Sequence, residues 1–383
     1  MGAVLMFKHN YPVVKRFSYP CLIFFFAMIS VPGFGQETPL RIGIAGLTHT
    51  HVHQVFNSAK EGEIEIVGIA EANSDLAQRY IERYGFDIDR VYPTLEDLIK
   101  AQKPEAVAAF GAIDEHLGVV EACAPAGIHV MVEKPLAVSL AQAEHMADLA
   151  LKHRIFLLTN YETTWYPATH EAFTMVKAVG AVRKVVIRDG HRGPEQIGVD
   201  PEFLEWLIDP VRNGGGALMD FGCYGANLMT LLMKGEKPLA VTAVTQQLQP
   251  ENNPKVEDEA LIILEYPSAN AVIHASWNWP IGRKDMEVYG RKGAVYADNR
   301  TQLRLRMAEG YDGFEETVFQ LEDRPPPYHD PFSYFRAVIR GEIAPEPFDL
   351  SSLENNLLVM EILEAAKQSA RDGKRIELSK GSD

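Results

Sequence analysis

Residues Leu40 to His53 read LRIGIAGLTHTHVH, and this stretch decides the architecture. Leu40 to Gly46 is a short apolar run ending in glycine, and the chain from Val52 onward has helical periodicity, so the segment reads strand, turn, helix. The unit repeats downstream. Ile64 to Ala70 is a second strand ending at Glu71, and Ser74 to Tyr84 is a second helix with Ser74 as its cap. Ala106 to Phe110, Glu115 to Ala126, His129 to Val132, Leu140 to His153 and Ile155 to Thr159 continue the alternation. Strands separated by helical crossovers lie parallel, so residues 36–160 are expected to form a doubly wound α/β sheet.

From about Tyr161 the texture changes. Strand patterns at Val182 to Arg188, Ala240 to Gln247, Ala260 to Tyr266, Ala271 to Trp277 and Met286 to Tyr289 are separated by turn signals and short helical stretches. Residues 161–383 therefore read as a second domain on a largely antiparallel sheet. The chain closes on helical patterns at Pro331 to Arg340 and Leu350 to Arg371.

Length and charge narrow the partners. At 383 residues the chain suits two domains, and 37 basic against 52 acidic residues disfavour nucleic acid or an anionic membrane surface as ligand. At the start of the chain Lys8, Lys15 and Arg16 precede the apolar run Cys21 to Val31, which ends at Gly33 and Gly35 before Gln36. Residues 1–35 read as an export signal, too short for an ordinary membrane span, and imply a periplasmic mature protein. A start codon placed upstream of a cytoplasmic protein is the alternative. Removing the segment leaves 34 basic against 52 acidic residues, so the charge becomes more negative, -18. Cys123 and Cys223 then remain, which is no disulfide framework.

The turn from Gly46 to His53 stands where a dinucleotide fingerprint would. Gly46 is its first glycine, but Thr48 and His51 replace the other two. A helix start offering amide donors to a phosphate accounts for the stretch from His49, with hydroxyls of Thr48 and Thr50 as added donors. Glu71, at the end of the second strand, suits a ribose 2'-hydroxyl and repels a 2'-phosphate, which favours NAD over NADP. His49, His51 and His53 raise a metal reading, but no carboxylate or cysteine nearby in the sequence completes a ligand set, so no metal is expected.

Two further motifs carry chemistry. Glu133-Lys134-Pro135 ends the strand begun at His129, placing Glu133 and Lys134 at the carboxyl edge of the sheet, where ligands of open α/β sheets bind. Gly214 to Asn227, GGGALMDFGCYGAN, runs a triple glycine into a helical pattern with Asp220 and Tyr224 four residues apart on one face. A carboxylate and a phenol so placed suit proton transfer to a bound alcohol or carbonyl.

Together, GIHVMVEKPLA, GGGALMDFGCYGAN and the altered glycine turn resemble the glucose-fructose oxidoreductase, inositol dehydrogenase and MocA (Gfo/Idh/MocA) family, across roughly residues 40–375. The resemblance implies a Rossmann domain followed by an α/β domain whose open-faced sheet mediates homo-oligomers, and NAD(P)-dependent chemistry on sugars or polyols. By motif, Lys134 corresponds to the family's active-site lysine, Asp220 and Tyr224 to its aspartate and its histidine-or-tyrosine acid/base, and His116 to a histidine after the fourth strand. Tyr224 is expected to move the proton, with the Lys134 ammonium lowering its pKa toward neutrality. Lys134 as the proton carrier is the alternative.

Asn160, ending the last strand of the first sheet, is a candidate for touching nicotinamide or ribose. Trp165, His191 and Arg192 are candidates for the substrate, and Trp277 and Trp279 for stacking or core. Three functions follow from these readings. The first is an exported oxidoreductase moving a hydride between a sugar or polyol and a tightly bound nicotinamide cofactor. The second cleaves glycosides through transient oxidation and elimination, and the third is a non-catalytic sugar-binding protein.

Overall fold

Strand by strand, the first half follows the alternation. In the computed structural model, which describes residues 38–378, the strands β1 (Leu40–Ala45), β2 (Ile64–Ala70), β3 (Val91–Tyr92), β4 (Ala106–Ala109), β5 (His129–Glu133) and β6 (Leu157–Asn160) pair in the order β3-β2-β1-β4-β5-β6. Every pairing is parallel. Helices α1 (Val52–Glu61), α2 (Ser74–Tyr84), α3 (Leu95–Gln102), α4 (His116–Cys123) and α5 (Leu140–His153) make the crossovers. Strand order reverses between β1 and β4, the switch point where such sheets bind ligands. The cap of α2 is Asn73 rather than Ser74: its side chain accepts from the amides of Asp75 and Leu76, both at 3.1 Å.

After α6 (Pro167–Val179) the second sheet begins with β7 (Val182–Gly190). Short helices α7 (Pro194–Ile197), α8 (Pro201–Leu207) and α9 (Ala217–Asp220), then α10 (Gly222–Leu232), precede β8 (Ala240–Gln246), β9 (Glu259–Glu265), β10 (Asn270–Ser276), β11 (Arg283–Gly290), β12 (Gly293–Ala297), β13 (Gln302–Glu309) and β14 (Gly313–Gln320). With β15 (Ile376–Glu377) they pair in the order β14-β13-β12-β11-β7-β10-β9-β8-β15. All pairings are antiparallel except β7 with β10. Strands β12 to β14 were not legible as strands. β14 is an edge strand exposed almost throughout, so it has no apolar alternation to announce it.

The late helices tie the sheets together. α11 (Pro331–Ile339) lays Phe332, Phe335 and Val338 into the same apolar cluster as Ile42 and Ile44 of β1, and α12 (Leu353–Asp372) packs against β6 and β8. The described residues 38–378 belong to a single compact unit. Both cysteines are free and buried. The export segment read at residues 1–35 lies outside the described residues, among which no helix is long and apolar enough to cross a membrane.

The stretch 214–227 departs from one continuous helix. It breaks at Phe221 (φ -113, ψ -26), so Asp220 ends α9 while Tyr224 belongs to α10. α9 is anchored instead at its start. Glu257 accepts from the amides of Gly216 (2.8 Å) and Leu218 (3.2 Å) through Oε1, and its carbonyl accepts from Ala217 (3.0 Å). A Cβ at Gly216 would stand 1.9 Å from the Glu257 carbonyl oxygen, so only glycine lets the two backbones meet. Gly216→Ala is expected to lower stability by about 1–3 kcal/mol through overpacking against backbone, read as a lower urea midpoint at unchanged m-value.

Candidate active site

The nucleotide end of the site is built by the turn after β1. Gly46 has φ +79, and a Cβ there would lie 2.8 Å from the Gly111 nitrogen, so the ends of β1 and β4 approach as closely as glycine permits. Between them opens a cleft of about 360 Å³ lined by Gly46, Thr48, Glu71, Glu96, Glu115 and His116 among others. Glu71 accepts from the amides of Leu47 (3.0 Å) and Asn73 (2.8 Å), which fixes it at the strand end. A 2'-phosphate here would meet three carboxylates, so the lining agrees with NAD. Gly111, Glu96 and Glu115 were not singled out from sequence: the register of β1 on β4 brings in the segment that follows β4, and Glu96 arrives on α3.

His116 supplies a second fit. Its Nδ1 donates to the Leu136 carbonyl (3.1 Å), which leaves Nε2 a bare acceptor, buried and without a partner. Burial pushes its pKa down to about 4, so the ring is neutral. A hydroxyl or carboxamide N–H of a bound dinucleotide would satisfy that nitrogen.

The rest of the turn is committed to the protein. Thr48 Oγ1 accepts from Trp206 Nε1 (3.1 Å), and His49 is buried against Phe203, with ring centroids 4.6 Å apart. Thr50 is half-buried beside them. The carboxylate missing from the metal reading does arrive: Glu133 Oε2 lies 3.0 Å from His51 Nδ1 and 3.8 Å from His49 Nε2. Yet His49 Nδ1 accepts the His51 amide (3.1 Å), so its proton sits on Nε2 and no lone pair is left for an ion. The cluster is a hydrogen-bond network. Burial opposes ionisation of Glu133, but His51, His49 and the Asn160 amide outweigh it and hold the carboxyl at about 2.

That network also settles Asn160 and Trp165. Asn160 donates to Glu133 Oε1 (2.7 Å), and its Oδ1 accepts from Trp165 Nε1 (2.9 Å). Trp165, expected to meet substrate, is only 4% exposed and stacks no free face to a sugar; it holds Asn160 in place.

At the tip of β5, Lys134 Nζ is ion-paired with Asp220 Oδ1 and also donates to the Asp220 carbonyl (3.1 Å). Asp220 Oδ2 accepts from Trp277 Nε1 (2.9 Å), and Cys223 Sγ donates to the same Asp220 carbonyl (3.3 Å). Trp277 is thus a core residue that holds the carboxylate. Desolvation works against charge on both partners, but each outweighs it for the other, so Lys134 is raised, Asp220 lowered, and the pair stays ionised.

Tyr224 departs from expectation. Burial pushes its phenol well above 10, with Glu162 adding to the rise. Lys134 and Lys284 lie over its ring, 5.4 and 5.2 Å from the centroid, and Lys134 is already neutralised by Asp220. The expected lowering of its pKa by Lys134 is therefore overturned: Tyr224 is a protonated phenol, suited to donate.

A second cavity, about 370 Å³, opens beside Phe221 and includes His191, Tyr166, Arg283, Lys284 and Arg300. His191 meets the Phe221 ring edge-on at 5.0 Å, its Nδ1 accepts the Gly193 amide (3.1 Å), and burial lowers its pKa to about 4. Arg192 does not line the cavity. Lys284 and Glu162 (2.5 Å apart) had no signal in the sequence, since the cross-strand register of β7 with β11 brings Lys284 opposite Asp189.

The comparisons agree with this anatomy. The NAD-binding Rossmann model of the GFO/IDH/MocA oxidoreductases matches residues 40–161, and the family's C-terminal domain model matches residues 174–296. Trans-1,2-dihydrobenzene-1,2-diol dehydrogenase from Macaca fuscata fuscata is 26% identical over 244 residues, 63% of this chain and 68% of the relative; the Homo sapiens protein of that name is 26% identical over 261 residues, 67% and 73% respectively. Among solved structures, aldose-aldose oxidoreductase from Caulobacter crescentus complexed with glycerol is 26% identical, with TM-score 0.74 over 89% of this chain and 100% of that one. An inositol dehydrogenase homolog from Azotobacter vinelandii, complexed with NAD+, shares the fold at TM-score 0.77 and 19% identity over 89% of this chain and 98% of that one. The cleft at Gly46, the lysine at the tip of β5 and both matched domains lead to one conclusion: the chain belongs to the Gfo/Idh/MocA family of oxidoreductases, with an NAD-binding Rossmann domain.

Proposed function

We propose that this protein transfers a hydride between a hydroxyl-bearing carbon of a sugar or polyol and a tightly held NAD. The observation that carries the reading is the buried Lys134–Asp220 ion pair, set at the carboxyl edge of the parallel sheet, with Lys134 Nζ 5.7 Å from the centroid of Phe221, which lines the His191 cavity. The names of the similar proteins, an aldose-aldose oxidoreductase and a diol dehydrogenase, support an alcohol substrate. NAD, when bound, accepts or returns the hydride. Gly46, Glu71, His116, Glu133 and Asn160 are the residues proposed to hold it. In the direction that returns the hydride to a carbonyl carbon, Lys134 donates a hydrogen bond to the reacting oxygen, Asp220 keeps the ammonium charged and aimed, and Tyr224 gives its phenolic proton to that oxygen; in the oxidising direction the hydroxyl proton passes back to the Tyr224 oxygen.

Residues 1–35 are proposed to direct export to the periplasm, where free NAD is scarce, so the cofactor would be recycled in place by alternate oxidation and reduction. The outer face of the second sheet is proposed to receive a further copy of the chain. Arg188 bridges Asp285 (3.2 Å) and Glu287 (2.7 Å) there, which supports a preordered polar contact surface.

Mass spectrometry of the purified protein is expected to find NAD, and an added sugar or polyol to raise reduced-nicotinamide absorbance in a single turnover. Absence of any bindable dinucleotide would leave a sugar-binding protein, and glycoside cleavage with no net cofactor change would point to elimination chemistry. Lys134→Met is expected to slow that turnover by about 10²–10⁴-fold. The same substitution strands the Asp220 charge and should cost about 3–5 kcal/mol in urea denaturation. Lys134→Met with Asp220→Asn keeps an acceptor for Trp277, so stability should largely return while turnover does not; recovery of both would refute the role given to Lys134.

A further inference from the structure

The cavity beside Phe221 is rich in hydrogen-bond donors. Three half-buried cations line it, Arg283, Lys284 and Arg300, and each is tethered by a carboxylate that is not part of the lining. Arg283 binds Asp285 through Nε (2.5 Å) and Nη2 (2.9 Å). Lys284 Nζ binds Glu162 (2.5 Å), and Arg300 Nη2 binds Asp323 (2.7 Å). A guanidinium has five donors and an ammonium three, so each cation keeps N–H groups beyond those its tether uses. Ring faces hold two of them further in place: Arg283 lies 4.6 Å from the Trp279 centroid and Arg300 5.6 Å from that of Tyr166.

The charged and amide acceptors in the same lining are already engaged. Both oxygens of Asp298 accept from Arg304, each at 2.6 Å. Asn299 Oδ1 accepts from the amides of Thr301 and Gln302, both at 3.0 Å, whereas the Tyr166 hydroxyl spends its proton on Glu162 (2.5 Å) and keeps its oxygen as an acceptor. His191 Nδ1 is taken by the Gly193 amide, which leaves its Nε2–H as another donor. A neutral polyol has hydroxyl protons that need acceptors as well as oxygens that need donors. A carboxylate only accepts, and the planar fork of an arginine matches it.

We propose that this cavity selects an acidic sugar, one whose carboxylate is received by Arg283, Lys284 and Arg300 while its reacting hydroxyl lies toward Lys134. His191 and Phe221 connect the two ends. His191 packs on Phe221, and the Phe221 centroid lies 5.7 Å from Lys134 Nζ and 5.9 Å from Lys284 Nζ. Because each cation is already ion-paired with a carboxylate outside the lining, ligand charge is met by preorganised donors rather than by rearrangement.

The proposal rests on the oxidoreductase reading for its reacting end, and the two are separable. Binding of galactose against galacturonate and glucose against glucuronate is measured by calorimetry on the NAD-loaded protein, with reduced-nicotinamide absorbance followed in parallel. Each acid is expected to bind at least about 10-fold more tightly than its neutral partner, with the preference shrinking at high salt. In Arg283→Gln and in Arg300→Gln, each checked for a native urea midpoint, the acid-to-neutral ratio is expected to fall toward one. Neutral sugars binding as tightly as the acids, no binding of either, or a ratio unchanged in both variants would overturn the proposal. Acid-selective binding without any absorbance change would uphold the cavity's selectivity and sink the oxidoreductase reading, whereas equal cofactor reduction by both members of a pair would do the reverse.

Discussion

Everything at the centre of this molecule depends on keeping two opposite charges buried together. Lys134 comes from the parallel sheet and Asp220 from the segment preceding α10, so the ion pair exists only when both halves of the chain are folded and apposed. Neither charge is tolerable alone in that environment, since an unpaired buried ion costs several kcal/mol. Trp277 donates to the second carboxylate oxygen, which leaves the carboxylate little freedom, and Cys223 shares the Asp220 carbonyl with Lys134. A charged ammonium fixed at the edge of a parallel sheet is what a developing alkoxide requires.

Holding Asp220 there needs support from outside the pair. Glu257 accepts the amides that open α9, and the glycines of 214–216 let that backbone pass where side chains would not fit. The triple glycine therefore serves close approach of protein to protein. The helix break at Phe221 has a consequence of its own: it frees Asp220 to meet Lys134 and gives Phe221 and Tyr224 ring faces lying near both lysines.

Proton inventory distinguishes the site from a simple base. Tyr224 is held protonated by burial, Lys134 by Asp220, and His191 neutral with its free N–H outward from Gly193. Donors dominate at both the reacting end and the cavity beyond it. Such an array of donors suits negative charge on oxygen.

The parallel sheet was legible because its strands are short apolar runs separated by helices of regular period, a pattern local enough to read along the chain. Gly46, Glu71, Lys134 and Asp220 were legible for the same reason: each sits at a fixed offset from a strand or turn that announces itself. Other features depend on which distant segments meet. Glu133 completing the histidine cluster, Trp165 serving Asn160, Glu257 under α9, Lys284 opposite Asp189 and the edge strand β14 follow from register and burial, which act between residues far apart in sequence. The sequence by itself thus determined the fold class and the position of Lys134 at the carboxyl edge of the sheet. Tertiary structure decided the protonation of Tyr224 and the donor-rich lining of the cavity, because both are set by desolvation and by which hydrogen-bond partners are already taken.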